Sequence, residues 1–141
     1  MVHLPSGQLG DRPLSPVGRH CILELYDCPA GLLNDGALIR SLLRESADLA
    51  KSTFLGDLMH KFDPQGITAL ALLAESHISI HTWPEKGYAA IDVFTCGNHT
   101  EPEAACHHFI HRLQAGHHSL CTLPRETPFS VADAFARPKT A

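Results

Sequence analysis

ESHISIHTWPEKGYAAIDVFTCG, residues 75–97, contains the clearest secondary-structure pattern of the chain. From Ser76 to Thr82, polar and apolar residues alternate, as in a strand with one buried face. Residues 83–87 interrupt this alternation, and residues 88–96 then have the composition of a second strand. The segment therefore predicts an antiparallel hairpin. One face of its first strand carries His77, Ser79 and His81, and the other carries Ile78 and Ile80.

Further elements are predicted on both sides of this hairpin. The predicted strands cover residues 21–26, 51–58, 67–74 and 117–123, and the predicted helices cover 34–50 and 101–115. Asn34 or Asp35 can cap the first helix, and residues 61–66 form a turn. The order β-α-β-β-β-β-α-β predicts an α+β fold in which two helices cover one face of an antiparallel sheet.

The length of 141 residues is that of one domain. We expect a flexible N-terminal arm over residues 1–17, a single folded domain over 18–124 and a C-terminal tail over 125–141. The composition, 44% hydrophobic and 18% charged, is typical of a globular protein.

Charge and composition exclude several classes of partner. A formal net charge of −4 provides no basic surface for nucleic acid. The longest apolar run, residues 69–74, is far shorter than the ~20 residues of a membrane span. The N-terminus lacks the charged and apolar regions of a secretory signal. Five cysteines without CxxC spacing favour reduced thiols, and hence a cytoplasmic protein.

Eleven histidines raise the question of a metal site. His77 and His81 with Cys96 could bind zinc, but four residues along a strand separate two Cα atoms by about 13 Å. His107 and His111 share a predicted helix face, but no carboxylate accompanies them. We therefore predict no metal site, and a non-catalytic, histidine-rich metal-binding module remains an alternative.

Residues 75–97 closely resemble the processing and active-site segment of the prokaryotic S-adenosylmethionine decarboxylases, which are pyruvoyl-dependent enzymes. The resemblance continues upstream through HKFDPQGIT, residues 60–68. Weaker matches cover GRH at 18–20 and ELYDC at 24–28. On these segments the chain is identified as a member of that family.

The resemblance implies a proenzyme that cuts its own chain between Glu75 and Ser76. The products would be a β chain of residues 1–75 and an α chain of residues 76–141. The Ser76 hydroxyl would attack the preceding carbonyl to form an ester, and loss of the Ser76 α-proton would then expel that ester. The resulting dehydroalanine would hydrolyse to a pyruvoyl group, the covalent cofactor that forms a Schiff base with the substrate.

The resemblance also implies roles for individual side chains. His81 would be the base that removes the α-proton during processing. Cys96 would be the acid that reprotonates the product carbon after carbon dioxide leaves. Phe62 would stack on the adenine of S-adenosylmethionine, and Glu85 would bind its ribose hydroxyls. Thr68 stands where the family often has a serine whose hydroxyl aids processing.

Short members of this family pair sheet against sheet as homodimers, so the resemblance implies a four-layer αββα sandwich. The implied reaction converts S-adenosylmethionine to S-adenosylmethioninamine and carbon dioxide, and so provides the aminopropyl donor for spermidine synthesis. A pyruvoyl-dependent ornithine or arginine decarboxylase is the alternative, because it requires the same Ser76, His81 and Cys96. Phe62 and Glu85 favour the nucleoside substrate.

Overall fold

The computed structural model describes residues 17–126. The strands are β1 Gly18–Tyr26, β2 Phe54–Lys61, β3 Ile67–Leu73, β4 Ser76–Trp83, β5 Tyr88–Cys96 and β6 His117–Arg125. The helices are α1 Ala30–Leu33, α2 Gly36–Leu49 and α3 Pro102–Arg112, and a 3₁₀ turn Pro84–Lys86 joins β4 to β5. The strands form one antiparallel sheet in the order β2-β3-β4-β5-β1-β6. The predicted α+β class and the predicted hairpin of β4 and β5 are confirmed.

Helix α2 begins as its sequence predicts. The carboxylate of Asp35 accepts a hydrogen bond from the Leu38 N–H at 3.0 Å, which caps the helix. The helix packs on β2 and β3. Its buried residues are three and four positions apart, as on one face of a helix: Ile39, Leu42, Leu43, Ser46 and Ala47. Burial of this face positions the first half of the sheet.

Helix α3 packs on β1 and β5 and contacts α2. Its buried residues are Pro102, Ala105, Cys106 and Phe109. Glu45 of α2 accepts hydrogen bonds from His108 at 2.6 Å and from Arg112 at 2.9 Å. The bond from His108 lowers the pKa of Glu45 below its usual value. His108 therefore has a structural role in joining the two helices.

The hydrophobic core lies between these helices and one face of the sheet. Among its fully buried side chains are Leu23, Leu25, Ile67, Ile78, Ile80, Ile91 and Val93. We call the other face the open face, since no helix covers it within residues 17–126. It carries Leu58, Leu70 and Leu72 towards one edge, and His20, His77, His81 and Asp92 on the central strands.

Some predicted boundaries are wrong. The strand predicted over 51–58 runs from Phe54 to Lys61, because the end of α2 continues into a turn in which the Ser52 N–H bonds to the Ala47 carbonyl. The single-turn helix α1 was not predicted, since four residues are too short to show helical periodicity.

The predicted termini fall mostly outside the described residues. Strand β6 includes Arg125, one residue beyond the predicted domain, and the Val17 N–H bonds to the Arg125 carbonyl at 3.1 Å. The rest of the predicted arm, 1–16, and residues 127–141 of the predicted tail are not described.

In residues 17–126, no helix has the length and apolar character needed to cross a membrane.

Candidate active site

Ser76 begins β4, directly after the turn that joins it to β3. Its φ angle is +149°, which is uncommon for a residue other than glycine. Holding a residue in such a sparsely populated conformation costs on the order of 1–3 kcal/mol. The backbone is therefore strained at the residue where the sequence predicts the cut, and cleavage of the Glu75-Ser76 peptide bond would release this strain.

The carbonyl group of Glu75 is held by the neighbouring strand. Its oxygen accepts a hydrogen bond from the backbone N–H of Cys96 at 2.9 Å. The Glu75 carboxylate, whose side chain is 14% exposed, accepts another from the Thr53 N–H at 2.6 Å. A donor on a carbonyl oxygen stabilises the negative charge that develops during nucleophilic attack on its carbon. The peptide is thus held in place from both sides and polarised.

The hydroxyl group of Ser76 contacts the next residue in the chain. Its Oγ lies 3.2 Å from Nδ1 of His77. Burial is the largest cause that lowers the pKa of His77 below its usual value, followed by the nearby His20. Asp92 opposes this shift and Arg125 adds to it. From the sequence, His77 is considered only as a possible zinc ligand, and the family resemblance assigns it no role at Ser76.

A second cluster lies at the other end of the same strands. Thr68 on β3 is directly opposite His81 on β4, with Thr68 Oγ1 2.9 Å from His81 Nδ1. Phe62, 49% exposed, follows β2 at this end, where its N–H bonds to the Gly66 carbonyl at 2.8 Å. Glu85 is exposed in the turn after β4. This end of the sheet therefore carries the residues predicted to bind substrate.

The predicted site residues thus form two groups within one chain. We call Glu75, Ser76 and Cys96 the processing group, after the bond predicted to be cut. We call Phe62, Thr68, His81 and Glu85 the binding group, after the substrate contacts predicted for Phe62 and Glu85, although His81 and Thr68 are predicted to act in processing. Ser76 and His81 are five residues apart on β4, so at ~3.3 Å per residue their Cα atoms are about 16 Å apart. A serine and a histidine side chain do not bridge this distance. Within one chain, the structure does not bring His81 to Ser76.

Apolar side chains on the open face lie between these two ends. Leu58, Leu70 and Leu72 are 75%, 44% and 60% exposed. With Gly56 and His77 they line an open cleft of about 480 Å³. Exposed apolar patches of this kind mark surfaces that bind another molecule. This patch has no separate signal in the sequence, because the same leucines suit a strand of the hydrophobic core.

The histidines do not assemble a metal site in the part of the chain that the structure describes. No three His, Cys, Asp or Glu side chains there are placed so that they could hold one metal ion. Cys106 is buried in the core, whereas His107 and His111 are exposed on α3. The metal-binding alternative therefore gains no support from the arrangement of these side chains.

Comparisons with known proteins agree with the segment on which the site is built. The profile of the S-adenosylmethionine decarboxylase family matches residues 19–126. An S-adenosylmethionine decarboxylase proenzyme of Synechococcus sp. strain WH7803 is 56% identical over 123 residues, which cover 87% of this chain and 96% of the relative. The proenzyme of that name from Acetivibrio thermocellus is 42% identical over 123 residues, covering 85% of this chain and 99% of the relative.

A solved structure extends the match to the fold. The adenosylmethionine decarboxylase of Aquifex aeolicus VF5 superposes with a TM-score of 0.74 at 34% identity, covering 82% of this chain and 95% of the other. The sequence profile, the near full-length relatives and the superposition agree with one another. This chain therefore belongs to the S-adenosylmethionine decarboxylase family.

Proposed function

We propose that the protein is a self-processing proenzyme that converts S-adenosylmethionine to S-adenosylmethioninamine and carbon dioxide. The observation that carries the proposal is the state of the Glu75-Ser76 peptide. Ser76 is held at a φ of +149°, and the Cys96 N–H binds the carbonyl that the Ser76 hydroxyl would attack. Attack gives an ester, elimination then cuts the chain, and hydrolysis with release of ammonia leaves a pyruvoyl group on residue 76.

The residues around the Glu75-Ser76 peptide suit the pyruvoyl cofactor. The pyruvoyl carbonyl would supply an electron sink for the bond that releases carbon dioxide. The polarised Glu75 carbonyl and the strained Ser76 fit the precursor of the group, which the chain makes from its own atoms. The backbone N–H of Cys96 donates a hydrogen bond to the Glu75 carbonyl, so residue 96 lies beside the peptide predicted to be cut. This position supports the Cys96 thiol as the proton donor in turnover.

A homodimer would complete the site. The processing group and the binding group lie at opposite ends of one face, and His81 does not reach Ser76 in its own chain. A two-fold axis that lies between two open faces and runs across the strands reverses the strand direction of the second copy. The binding group of each chain would then meet the processing group of the other, because a two-fold interface uses the same patch twice.

The apolar patch supports this pairing. Leu58, Leu70 and Leu72 occupy the open face between the two groups, where a second sheet would bury them. The resulting arrangement is a four-layer αββα sandwich with two shared sites.

All five cysteines, each within residues 17–126, are free, which supports a reducing compartment and hence the cytoplasm.

Replacing His81 with alanine should stop processing after the ester has formed. The ester is expelled only when a base removes the Ser76 α-proton, and alanine supplies none. Hydroxylamine cleaves esters much faster than amides, so it should cut the purified variant between Glu75 and Ser76. Exposed His107 on α3 provides the matched control, and its alanine variant should process as the wild type does. Normal self-cleavage of the His81→Ala variant would contradict this role.

Coexpression tests whether His81 acts on the other chain. A mixed dimer of a His81→Ala chain and a Ser76→Ala chain would contain one complete site, formed by Ser76 of the first and His81 of the second. A tagged His81→Ala chain should therefore be cut in the presence of the Ser76→Ala chain. Persistence of the uncut chain in isolated mixed dimers would contradict the shared site.

Phe62→Ala should lower kcat/KM for S-adenosylmethionine by about tenfold or more, since stacking of a base on an aromatic ring is worth on the order of 1–3 kcal/mol. Self-cleavage should be unaffected, because the phenyl ring of Phe62 neither donates nor accepts a proton in the ester formation or the elimination. Release of carbon dioxide from labelled substrate measures the effect. Leu49→Ala, which truncates an exposed apolar side chain at the end of α2, is the control.

The same assay separates the two substrate classes. The presence of Phe62 and Glu85 in the binding group favours a nucleoside over a simple amino acid. We expect faster release of carbon dioxide from S-adenosylmethionine than from ornithine or arginine. Faster release from either amino acid would overturn the substrate assignment and favour the alternative decarboxylase.

A further inference from the structure

We propose that His77 is the general base of the first processing step, taking the proton of the Ser76 hydroxyl as it attacks the Glu75 carbonyl. The inference rests on the proposed self-processing and adds a residue to it. His81 acts at the later elimination, so the two histidines serve different steps.

The contact between Ser76 and His77 depends on an irregular backbone. Successive side chains of a regular strand point to opposite faces, so neighbours in sequence do not meet. Here the φ of +149° at Ser76 breaks the regular strand, and Oγ lies 3.2 Å from Nδ1 of His77. This is within the reach of a general base. The contact therefore occurs at the residue where the chain is to be cut.

The imidazole ring of His77 is held by its neighbours on the open face. Phe94, directly opposite on β5, meets it edge-on with ring centroids 6.0 Å apart. His20 of β1 meets it in the same way at 6.5 Å, and is itself 2.8 Å from a carboxylate oxygen of Asp92. On the other side, β3 presents Leu72. The ring therefore has few other orientations available.

The surroundings also keep His77 neutral. Burial lowers its pKa the most, and the charged or titratable groups around it are His20 on β1, Asp92 on β5 and Arg125 on β6. His20 and Arg125 lower the pKa further, and Asp92 partly offsets them. A neutral imidazole with its proton on Nε2 leaves the Nδ1 lone pair free to accept the hydroxyl proton.

The step balances without any added reactant. A bond forms between Ser76 Oγ and the Glu75 carbonyl carbon, while the hydroxyl proton moves to Nδ1 of His77. The Cys96 N–H stabilises the negative charge on the carbonyl oxygen. The bond from that carbon to the Ser76 nitrogen then breaks, and the proton passes from Nδ1 to this nitrogen. An amide and a hydroxyl have become an ester and an amine.

The His77→Asn variant distinguishes a role of His77 as a base from a role as a hydrogen-bond acceptor alone. The asparagine side-chain oxygen can still accept a hydrogen bond from Ser76, but it does not take up a proton near neutral pH. Chains made by cell-free synthesis should cut themselves at least about 100-fold more slowly than the wild type. The uncut variant should resist hydroxylamine, because it still holds an amide, whereas the His81→Ala variant should be cleaved. His107→Asn on α3 is the matched control.

The pH profile gives a readout that a merely structural role would not change. In the His81→Ala background, which stops at the ester, ester formation measured by hydroxylamine cleavage reports the first step alone. This step should persist below the pH at which an ordinary histidine is half protonated, and fall only as the lowered pKa of His77 is reached. The residual rate of ester formation in the His77→Asn, His81→Ala double variant should lack this fall. If His77→Asn aggregates, His77→Gln replaces it with the same expected result.

Two outcomes would overturn the inference, and they are distinguishable. Cleavage of His77→Asn at the wild-type rate, with the wild-type pH profile, would exclude His77 as the base while leaving self-processing intact. A wild-type chain that stays uncut would overturn self-processing and this inference together.

Discussion

Replacing Ser76 with alanine should leave the protein as a single chain of 141 residues without decarboxylase activity. Alanine has neither a hydroxyl to attack the Glu75 carbonyl nor a β-oxygen to eliminate, so no ester and no pyruvoyl group can form. The loss should be complete, because the substitution removes the atoms from which the cofactor is made. Denaturing gel electrophoresis and release of carbon dioxide from S-adenosylmethionine measure the two effects.

Ser79→Ala is the matched control for this variant. It makes the same chemical change three residues further along β4, where the hydroxyl donates to Asp92 at 3.5 Å. This control should cut itself and remain active. A Ser76→Ala protein that is cut after Glu75, or that still releases carbon dioxide, would refute the role of Ser76.

Cys96→Ala should cut itself and yet turn over about 10² to 10⁴-fold more slowly, the usual contribution of a general acid. Processing should continue because the hydrogen bond to the Glu75 carbonyl comes from the backbone N–H of Cys96, which alanine keeps. Turnover should fail because the product carbon needs a proton after carbon dioxide leaves. A thiol is mostly protonated at neutral pH and can donate one.

Loss of this proton donor should also make the enzyme inactivate faster during turnover. Protonation at the wrong carbon would transfer the substrate amino group to the cofactor, so the Cys96→Ala enzyme should inactivate progressively during turnover. Cys121→Ala, which removes a partly exposed thiol on β6, should behave like the wild type. Equal kcat in the Cys96→Ala and wild-type proteins would show that another group donates the proton.

The parts of the fold that the sequence predicted well have a strong local signal. Alternation over residues 76–82 predicts β4, and α2 is capped by Asp35, one of the two residues predicted as its cap. Strand β2 has no such signal, because apolar residues lie on both of its faces: Leu58 is exposed while its neighbour Met59 packs against the core. The register of β2 against β3 also shifts between Phe54 and Gly56. Its boundaries were therefore misplaced.

The candidate site shows the same contrast between residues that a sequence segment predicts and contacts that only the folded structure shows. The family segment predicts Ser76 as the residue to be modified and His81 as the base that acts on it, but it does not show how far apart the two side chains lie in one chain. The division into two groups became clear only from the sheet register, which places Thr68 opposite His81 and the Glu75 carbonyl beside Cys96. The contact of Ser76 with His77 follows from one backbone angle that no sequence pattern specifies.

The intact-mass spectrum of the purified wild-type protein tests self-processing most directly. We expect two masses, one for residues 1–75 and one for residues 76–141 beginning with a pyruvoyl group instead of serine. No mass for the full chain of 141 residues should remain after complete processing. A single full-length mass with an unmodified Ser76, in protein that decarboxylates S-adenosylmethionine, would contradict it.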